Sequence, residues 1–125
     1  MSPPVLAVDI GGTKIALALV ADDGAITDQL VRATPRSADP ETIFGAVAGG
    51  LQAIVEQADV AGPIRVGVGS AGPIDTRSGT ISPVNIPGWR GFPIVERVQA
   101  VLTEAGRQPV VGLAGDGHCF ALGEH

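Results

Sequence analysis

Cysteine, aromatic residues and clusters of positive charge are all scarce in this chain. Its 125 residues include one cysteine, three phenylalanines, one tryptophan and no tyrosine. A single cysteine cannot form a disulfide within the chain, which favours a reducing compartment such as the cytoplasm. The eight Lys and Arg residues are scattered among thirteen Asp and Glu, giving a net charge of −5, so we expect no nucleic-acid partner.

Long apolar runs are also missing. No segment stays apolar over the roughly 20 residues that cross a bilayer, and Met1–Pro4 does not begin a basic stretch followed by an apolar one. We therefore expect neither a membrane span nor a signal peptide. What the chain does have is 45% hydrophobic residues, enough for the core of one domain built mainly from Val, Ile, Leu and Ala.

The apolar periodicity predicts an α/β domain with a mixed sheet. Three strands joined by turns, at 5–10, 14–21 and 25–34, predict an antiparallel meander. The later elements are a helix at 40–58 capped by Asp39, a strand at 64–69, a helix at 93–105, a strand at 109–114 and the start of a third helix at 116–123. Residues 72–91 show no sustained period and predict an irregular loop of the kind that is often functional.

Each complete helix has one predicted inward face. The inward positions are Ile43, Val47, Leu51, Ile54, Val55 and Ala58 in the first helix, and Ile94, Val95, Val98, Val101, Leu102 and Ala105 in the second.

The first strand ends in an acid and runs into two glycines. The motif consists of Asp9, Gly11, Gly12, Thr13 and Lys14. Two glycines allow a tight turn with exposed backbone N–H groups, and such groups bind phosphate and a metal ion together with a hydroxyl and an acid. A nucleotide-phosphate loop and a plain hairpin, with Asp9 bonded to Thr13, fit equally. A P-loop is excluded because Lys14 follows the threonine.

The segment Gly67–Gly72 matches the glycine spacing of a dinucleotide-binding fingerprint. That fingerprint must open a helix, whereas Pro73-Ile74-Asp75 follows here, so we reject it. The alternative is a strand that ends in a close backbone approach to a ligand or to a neighbouring strand.

A proline-rich loop, Ser82–Trp89, contains one amide side chain. Asn85 can both donate and accept hydrogen bonds, as sugar hydroxyls require. The competing interpretation, which the loop alone favours, is a rigid structural loop pinned by Trp89.

Asp116 lies at the end of the last predicted strand, after Gly115. It fits a helix N-cap or the general base that accepts the proton of an attacking hydroxyl in phosphoryl transfer. If their strands are parallel, Asp9 and Asp116 share the sheet edge at which open α/β sheets bind ligands. His118, Cys119 and His125 lack a recognisable zinc spacing, so we expect no zinc site in this chain.

Together these segments resemble the N-terminal lobe of the ROK family, the sugar kinases and related repressors of the hexokinase/actin superfamily. The resemblance covers essentially the whole chain. The motifs that carry it are, in order, Asp9–Lys14, Gly67–Asp75, Gly79–Ile81, Pro83–Trp89, and Gly115–His118 continuing into Ala121–Glu124.

The resemblance implies a ribonuclease-H-like lobe and an ATP-dependent kinase of a hexose or N-acyl-hexosamine, glucokinase-like in type. It implies ATP-phosphate contacts from Asp9, Gly11, Gly12, Thr13 and Lys14, with Asp9 near Mg²⁺. It places Ser70, Ala71 and Gly72 beside the sugar, with Asn85 on its hydroxyls. It makes Asp116 both a sugar ligand and the catalytic base.

Two departures from the family pattern matter. The family's Asn-Asp-Ala-Asn is replaced by Gly115-Asp116-Gly117-His118, and Gly115 cannot make the sugar contact of the first Asn, so the sugar stays open. The family's second lobe, with its zinc site and most of the adenosine pocket, is absent from residues 1–125. We therefore expect an N-terminal lobe that is inactive alone, and apolar surface left by the missing lobe would favour self-association.

Two other functions compete with catalysis. The main alternative is a non-catalytic sugar-binding regulator of the ROK type. The other is an ATPase or chaperone of the actin superfamily, against which the loop Pro83–Trp89 and Asp116 both argue.

Overall fold

The computed structural model describes residues 4–21, 23–58, 63–70 and 73–115. These residues form strands β1 to β7 and helices α1 and α2. In chain order the elements are β1 Val5–Ile10, β2 Lys14–Val20, β3 Ile26–Ala33, α1 Pro40–Ala58, β4 Pro63–Ser70, β5 Ile74–Asp75, β6 Thr80–Ile81, α2 Ile94–Glu104 and β7 Gln108–Gly115.

The main sheet has five strands in the order β3-β2-β1-β4-β7. β1 pairs antiparallel with β2, and β2 with β3. β1 and β4 are parallel, as are β4 and β7. The predicted mixed sheet, a meander followed by helix–strand units, is therefore confirmed.

The core lies between the sheet and the two helices, which contact each other. Alternate residues of the central strand, Leu6, Val8 and Ile10, are at most 1% exposed and belong to the same buried cluster as both helices. Helix α1 approaches β2 closely because Gly50 has no side chain: a Cβ there would lie 2.9 Å from Leu17 Cδ1. Helix and sheet thus pack together where a larger residue would separate them.

The predicted cap and inward face of α1 are largely confirmed. The Asp39 carboxylate accepts hydrogen bonds from the Thr42 hydroxyl (2.8 Å) and the Glu41 N–H (3.3 Å). The Thr42 hydroxyl is the main reason that the pKa of Asp39 lies below its usual value. The predicted positions are buried except Ala58, which is half-buried, and Phe44 and Gly50 join the buried face.

One inward position predicted for the second helix is wrong. α2 ends at Glu104, so Ala105 is the C-cap residue and is exposed. The chain then turns at Gly106, whose φ of 80° suits glycine. Ile94, Val98 and Leu102 are fully buried, and Val95 and Val101 are partly buried against the core.

The loop predicted over residues 72–91 contains a small hairpin. β5 and β6 pair antiparallel, with Ile74 opposite Ile81. The turn between them is held by the Asp75 carboxylate, which accepts the Arg77 and Ser78 N–H groups at 3.0 and 3.3 Å. Two-residue strands show no alternation, which is why the sequence pattern indicated only a loop.

Candidate functional site

Three parallel strands end at one edge of the sheet. Ile10 of β1 is in register with Ser70 of β4, and Ser70 with Gly115 of β7. Asp116 lies outside the described residues, but it directly follows Gly115. Because β4 separates β1 from β7, the carboxyl ends of these two strands are roughly 10 Å apart.

The glycine turn between β1 and β2 is a closed hairpin tied to β3. The Gly11 N–H donates to the Lys14 carbonyl at 2.9 Å. The Thr34 N–H donates to the Thr13 carbonyl (2.9 Å), and the buried Thr34 hydroxyl donates to the Gly11 carbonyl (2.7 Å). Three carbonyls of the turn are thus occupied.

Two backbone N–H groups of the same turn, unlike its carbonyls, take part in no hydrogen bond among the described residues. Within the described part of the chain, the N–H groups of Gly12 and Thr13 have no hydrogen-bond acceptor. An N–H pair with no internal acceptor can receive an anion such as a phosphate oxygen. The turn is therefore a hairpin, as the structural interpretation expected, and it also has the N–H donors that a nucleotide-phosphate loop requires.

Gly12 lies directly against Asn85. A Cβ built on Gly12 would be 2.5 Å from the Asn85 Cβ, closer than side-chain atoms can approach. The structure thus brings the predicted phosphate turn into contact with Asn85, the residue that carries the predicted sugar-binding amide. Glycine is needed at 12 because a side chain would block this approach. Backbone conformation is not the reason, since neither Gly11 nor Gly12 has a left-handed backbone.

The loop that carries Asn85 is held rigidly. Trp89 is fully buried, stacks on Phe92 with ring centroids 4.3 Å apart, and donates its indole N–H to the Pro40 carbonyl at 3.2 Å. The Arg90 guanidinium donates to three loop carbonyls, those of Pro83, Ile86 and Trp89. The predicted pinning by Trp89 is confirmed, and the Asn85 side chain remains exposed on the fixed loop.

A cleft of about 480 Å³ opens between this loop and the segment that follows β3. Its lining residues are Gly12, Thr34, Pro35, Arg36, Ser37, Ala38, Ile43, Asn85, Ile86 and Pro87. Sequence reasoning named Gly12 and Asn85 but missed residues 34–38, which carry no motif and become neighbours of the site only because β3 runs parallel to β1.

The remaining predicted residues are placed as follows. Asp9 is half-buried near the end of β1, Ser70 is 2% exposed at the end of β4, and Lys14 is exposed at the start of β2. None of these three lines the cleft. Ala71, Gly72 and Asp116 lie outside the described residues.

The donor set at this edge fits magnesium and phosphate. Mg²⁺ prefers hard oxygen ligands such as the Asp9 carboxylate, usually with water and substrate phosphates completing its coordination. Across residues 4–21, 23–58, 63–70 and 73–115, no three His, Cys, Asp or Glu side chains gather as a metal cluster. No described helix is long and apolar enough to cross a membrane.

Comparison with known proteins gives the family. A model of the ROK family matches residues 5–125. The chain belongs to the ROK family. It is 32% identical over 122 residues to a glucokinase from Thermotoga maritima, covering 96% of this chain and 36% of that protein. It is 39% identical over 97 residues to an N-acetylmannosamine kinase from Escherichia coli, covering 75% of this chain and 31% of that protein.

The fold agrees with a solved ROK structure. A ROK family glucokinase from Streptomyces griseus, in complex with glucose and AMPPNP, matches with a TM-score of 0.67 at 34% identity. The match covers 86% of this chain and 32% of that chain. The predicted lobe of the hexokinase/actin superfamily is confirmed, and the chain spans about a third of the length of the ROK proteins that it matches.

Proposed function

We propose that the complete protein transfers a phosphoryl group from ATP to a hydroxyl of a hexose or an N-acyl-hexosamine. The relatives that support this are sugar kinases, a glucokinase and an N-acetylmannosamine kinase. Residues 1–125 would form its N-terminal lobe, and any structural zinc would belong to the second lobe. We also propose a cytoplasmic location, where ATP is available.

The contact between Gly12 and Asn85 carries the proposal. It joins a turn suited to phosphate with an exposed amide suited to sugar hydroxyls, which is the juxtaposition that phosphoryl transfer requires. In the Streptomyces griseus glucokinase the ligands are glucose and AMPPNP, an ATP analogue. A site that binds a sugar beside an ATP phosphate would need both of these groups, the N–H donors of the turn and the amide of Asn85.

Each side chain would have a separate role. The N–H groups of Gly12 and Thr13 would hold the donor phosphates, and Asp9 would hold Mg²⁺, which neutralises phosphate charge. Asn85 would orient the sugar, with Ser70, Ala71 and Gly72 beside it. Asp116 would accept the proton of the attacking hydroxyl.

The test is a kinase assay on the complete protein with MgATP and a panel of glucose, mannose, N-acetylglucosamine and N-acetylmannosamine. We expect at least one sugar to be phosphorylated. The Asp116→Asn variant should lower kcat by about 10²-fold or more, because the general base is lost, while sugar affinity changes far less. The matched control is Glu104→Gln, which neutralises an exposed acid at the end of α2.

Retained turnover in Asp116→Asn would remove this residue as the base. Sugar binding without phosphorylation by the unmodified protein would instead support the sugar-binding regulator. ATP hydrolysis that is indifferent to every sugar would support the ATPase.

A further inference from the structure

Arg36 is the one ionisable side chain among the described residues that line the 480 Å³ cleft. The other lining residues contribute hydroxyl, amide, backbone and apolar groups. The nearby carboxylate of Asp39 is engaged at the start of α1, where it caps the helix, and does not line the cleft. Among the described residues, the lining of this cleft therefore carries one positive charge and no negative one.

The guanidinium of Arg36 differs from two other arginines of the fold. Arg97 is paired with Glu41, and Arg90 donates to backbone carbonyls. Arg36 is exposed and makes no hydrogen bond or ion pair within the described residues. Its fork of N–H donors is therefore available to a ligand.

The backbone that carries Arg36 is fixed to the glycine turn. Thr34, two residues earlier, is bonded through its N–H and its hydroxyl to the carbonyls of Thr13 and Gly11. On the other side, the Ser37 hydroxyl accepts the Asp39 N–H at 3.0 Å. Arg36 is thus presented from a short, pinned segment attached to the turn whose Gly12 and Thr13 N–H groups have no described acceptor.

We propose that Arg36 binds a phosphate group of a ligand that extends from the glycine turn into this cleft. A guanidinium matches the geometry of phosphate oxygens with two parallel hydrogen bonds and offsets their negative charge, whereas a neutral sugar hydroxyl offers neither the second oxygen nor the opposite charge. The inference rests on the proposed kinase function for its choice of phosphate. Two sources carry that group: the phosphate chain of the donor, and the phosphorylated sugar product.

The experiment compares Arg36→Gln and Arg36→Lys in the complete protein. The matched control is Arg77→Gln, because Arg77 is exposed in the β5–β6 turn and its side chain has no described partner. Four quantities are measured: the Kd of inorganic tripolyphosphate, the KM of MgATP, the inhibition constant of the sugar phosphate product, and the KM of the sugar. Thermal unfolding checks that all variants are folded.

We expect Arg36→Gln to weaken tripolyphosphate binding by about tenfold, as loss of a charged hydrogen-bond donor does, and to reduce the dependence of that binding on salt. Arg36→Lys should keep part of the affinity, since it keeps the charge but not the fork. An increase confined to the MgATP KM assigns the phosphate to the donor, and one confined to the product inhibition constant assigns it to the product.

Two results would overturn the inference: no change beyond that of Arg77→Gln in any phosphate measurement, or a change in the sugar KM alone. Failure of the kinase proposal would give a different set of results from failure of the Arg36 proposal. The unmodified protein would then phosphorylate no sugar, while the tripolyphosphate measurement would still decide whether Arg36 binds phosphate.

Discussion

Gly12 is the residue at which two loops of the candidate site come within contact distance. Its Cα faces the Asn85 side chain so closely that a methyl group would overlap the Asn85 Cβ. The constraint is steric rather than conformational, because the backbone at Gly12 is not left-handed. A substitution here would act on the site by moving one loop away from the other.

The prediction for Gly12→Ala is a loss of both stability and sugar affinity. Relieving the 2.5 Å contact requires the Asn85 loop or the turn to shift, at a cost of about 1–3 kcal/mol in unfolding free energy. Because Trp89 and Arg90 hold the loop, the strain cannot be relieved locally. The measurements are chemical denaturation and the sugar KM of the complete protein.

The control is Gly49→Ala in α1. Nothing lies within 4 Å of a Cβ built at this exposed position, and alanine in a helix is favoured by roughly 0.5–1 kcal/mol over glycine. Gly49→Ala should therefore stabilise the protein and leave the sugar KM unchanged. Equal behaviour of the two variants would refute the steric role of Gly12.

Helices α1 and α2 are joined by an ion pair that lies on an aromatic cluster. Arg97 donates to both carboxylate oxygens of Glu41, one of them at 2.8 Å. Its guanidinium also lies 4.5 Å from the ring centroid of Phe44 and 5.4 Å from that of Phe92. Phe92 in turn stacks on Trp89, the buried residue that holds the Asn85 loop. The ion pair is therefore linked to that loop through the two aromatic rings.

The pH dependence of the ion pair has a definite sign. The hydrogen bond from Arg97 holds the pKa of Glu41 below its ordinary value of 4.5, so the pair stabilises the fold above that pH and loses its effect as the pH falls through the lowered pKa. We expect Glu41→Gln to lower the Tm at pH 7 and to leave it unchanged at a pH well below 4.5.

Two further variants complete this experiment. Arg97→Ala should lower the Tm more than Glu41→Gln at neutral pH, because it also removes the contact with the aromatic rings. Glu56→Gln, at an exposed α1 position, controls for net charge. A Tm difference between the parent chain and Glu41→Gln that persists unchanged in acid would contradict the assignment.

Most secondary structure elements could be predicted because their patterns are long enough to be periodic. Strand β1 has the predicted bounds, and α1 begins at Pro40 behind its Asp39 cap. The hairpin β5–β6 was missed because two residues cannot show an alternation. Ala105 was misplaced because helical spacing continues past the point at which Gly106 turns the chain.

The candidate site was predicted only where a motif marks it. Glycines and a lone amide pointed to Gly12 and Asn85, yet their mutual contact depends on how two distant loops fold. Arg36 has no motif, and its position in the cleft follows from the order of β3, β2 and β1 in the sheet. Sequence spacing carries no information about such tertiary neighbours.

The molecule as a whole presents one side of a proposed two-lobed site. Under the proposed function its cleft, turn and sheet edge would supply phosphate and sugar contacts, but the chain spans only 36% of the glucokinase that it matches. Enclosure by a second lobe would exclude water and complete the substrate contacts.

We therefore expect residues 1–125, expressed alone, to phosphorylate the sugar more slowly than the complete protein does, or not at all, under identical MgATP and sugar concentrations. Light scattering on the same sample should reveal self-association if apolar surface is left uncovered. Magnesium-dependent turnover by these residues at the rate of the complete protein would show that the second lobe is dispensable.

The stacking of Trp89 on Phe92 has an optical consequence. Trp89 is the one tryptophan in these 125 residues, and it is fully buried four positions from Asn85, with its indole N–H on the Pro40 carbonyl. Its fluorescence emission therefore comes from an apolar environment inside the loop that presents the amide. The emission maximum and intensity of Trp89 should therefore change when the conformation or solvent exposure of that loop changes, which makes this residue an intrinsic, label-free reporter.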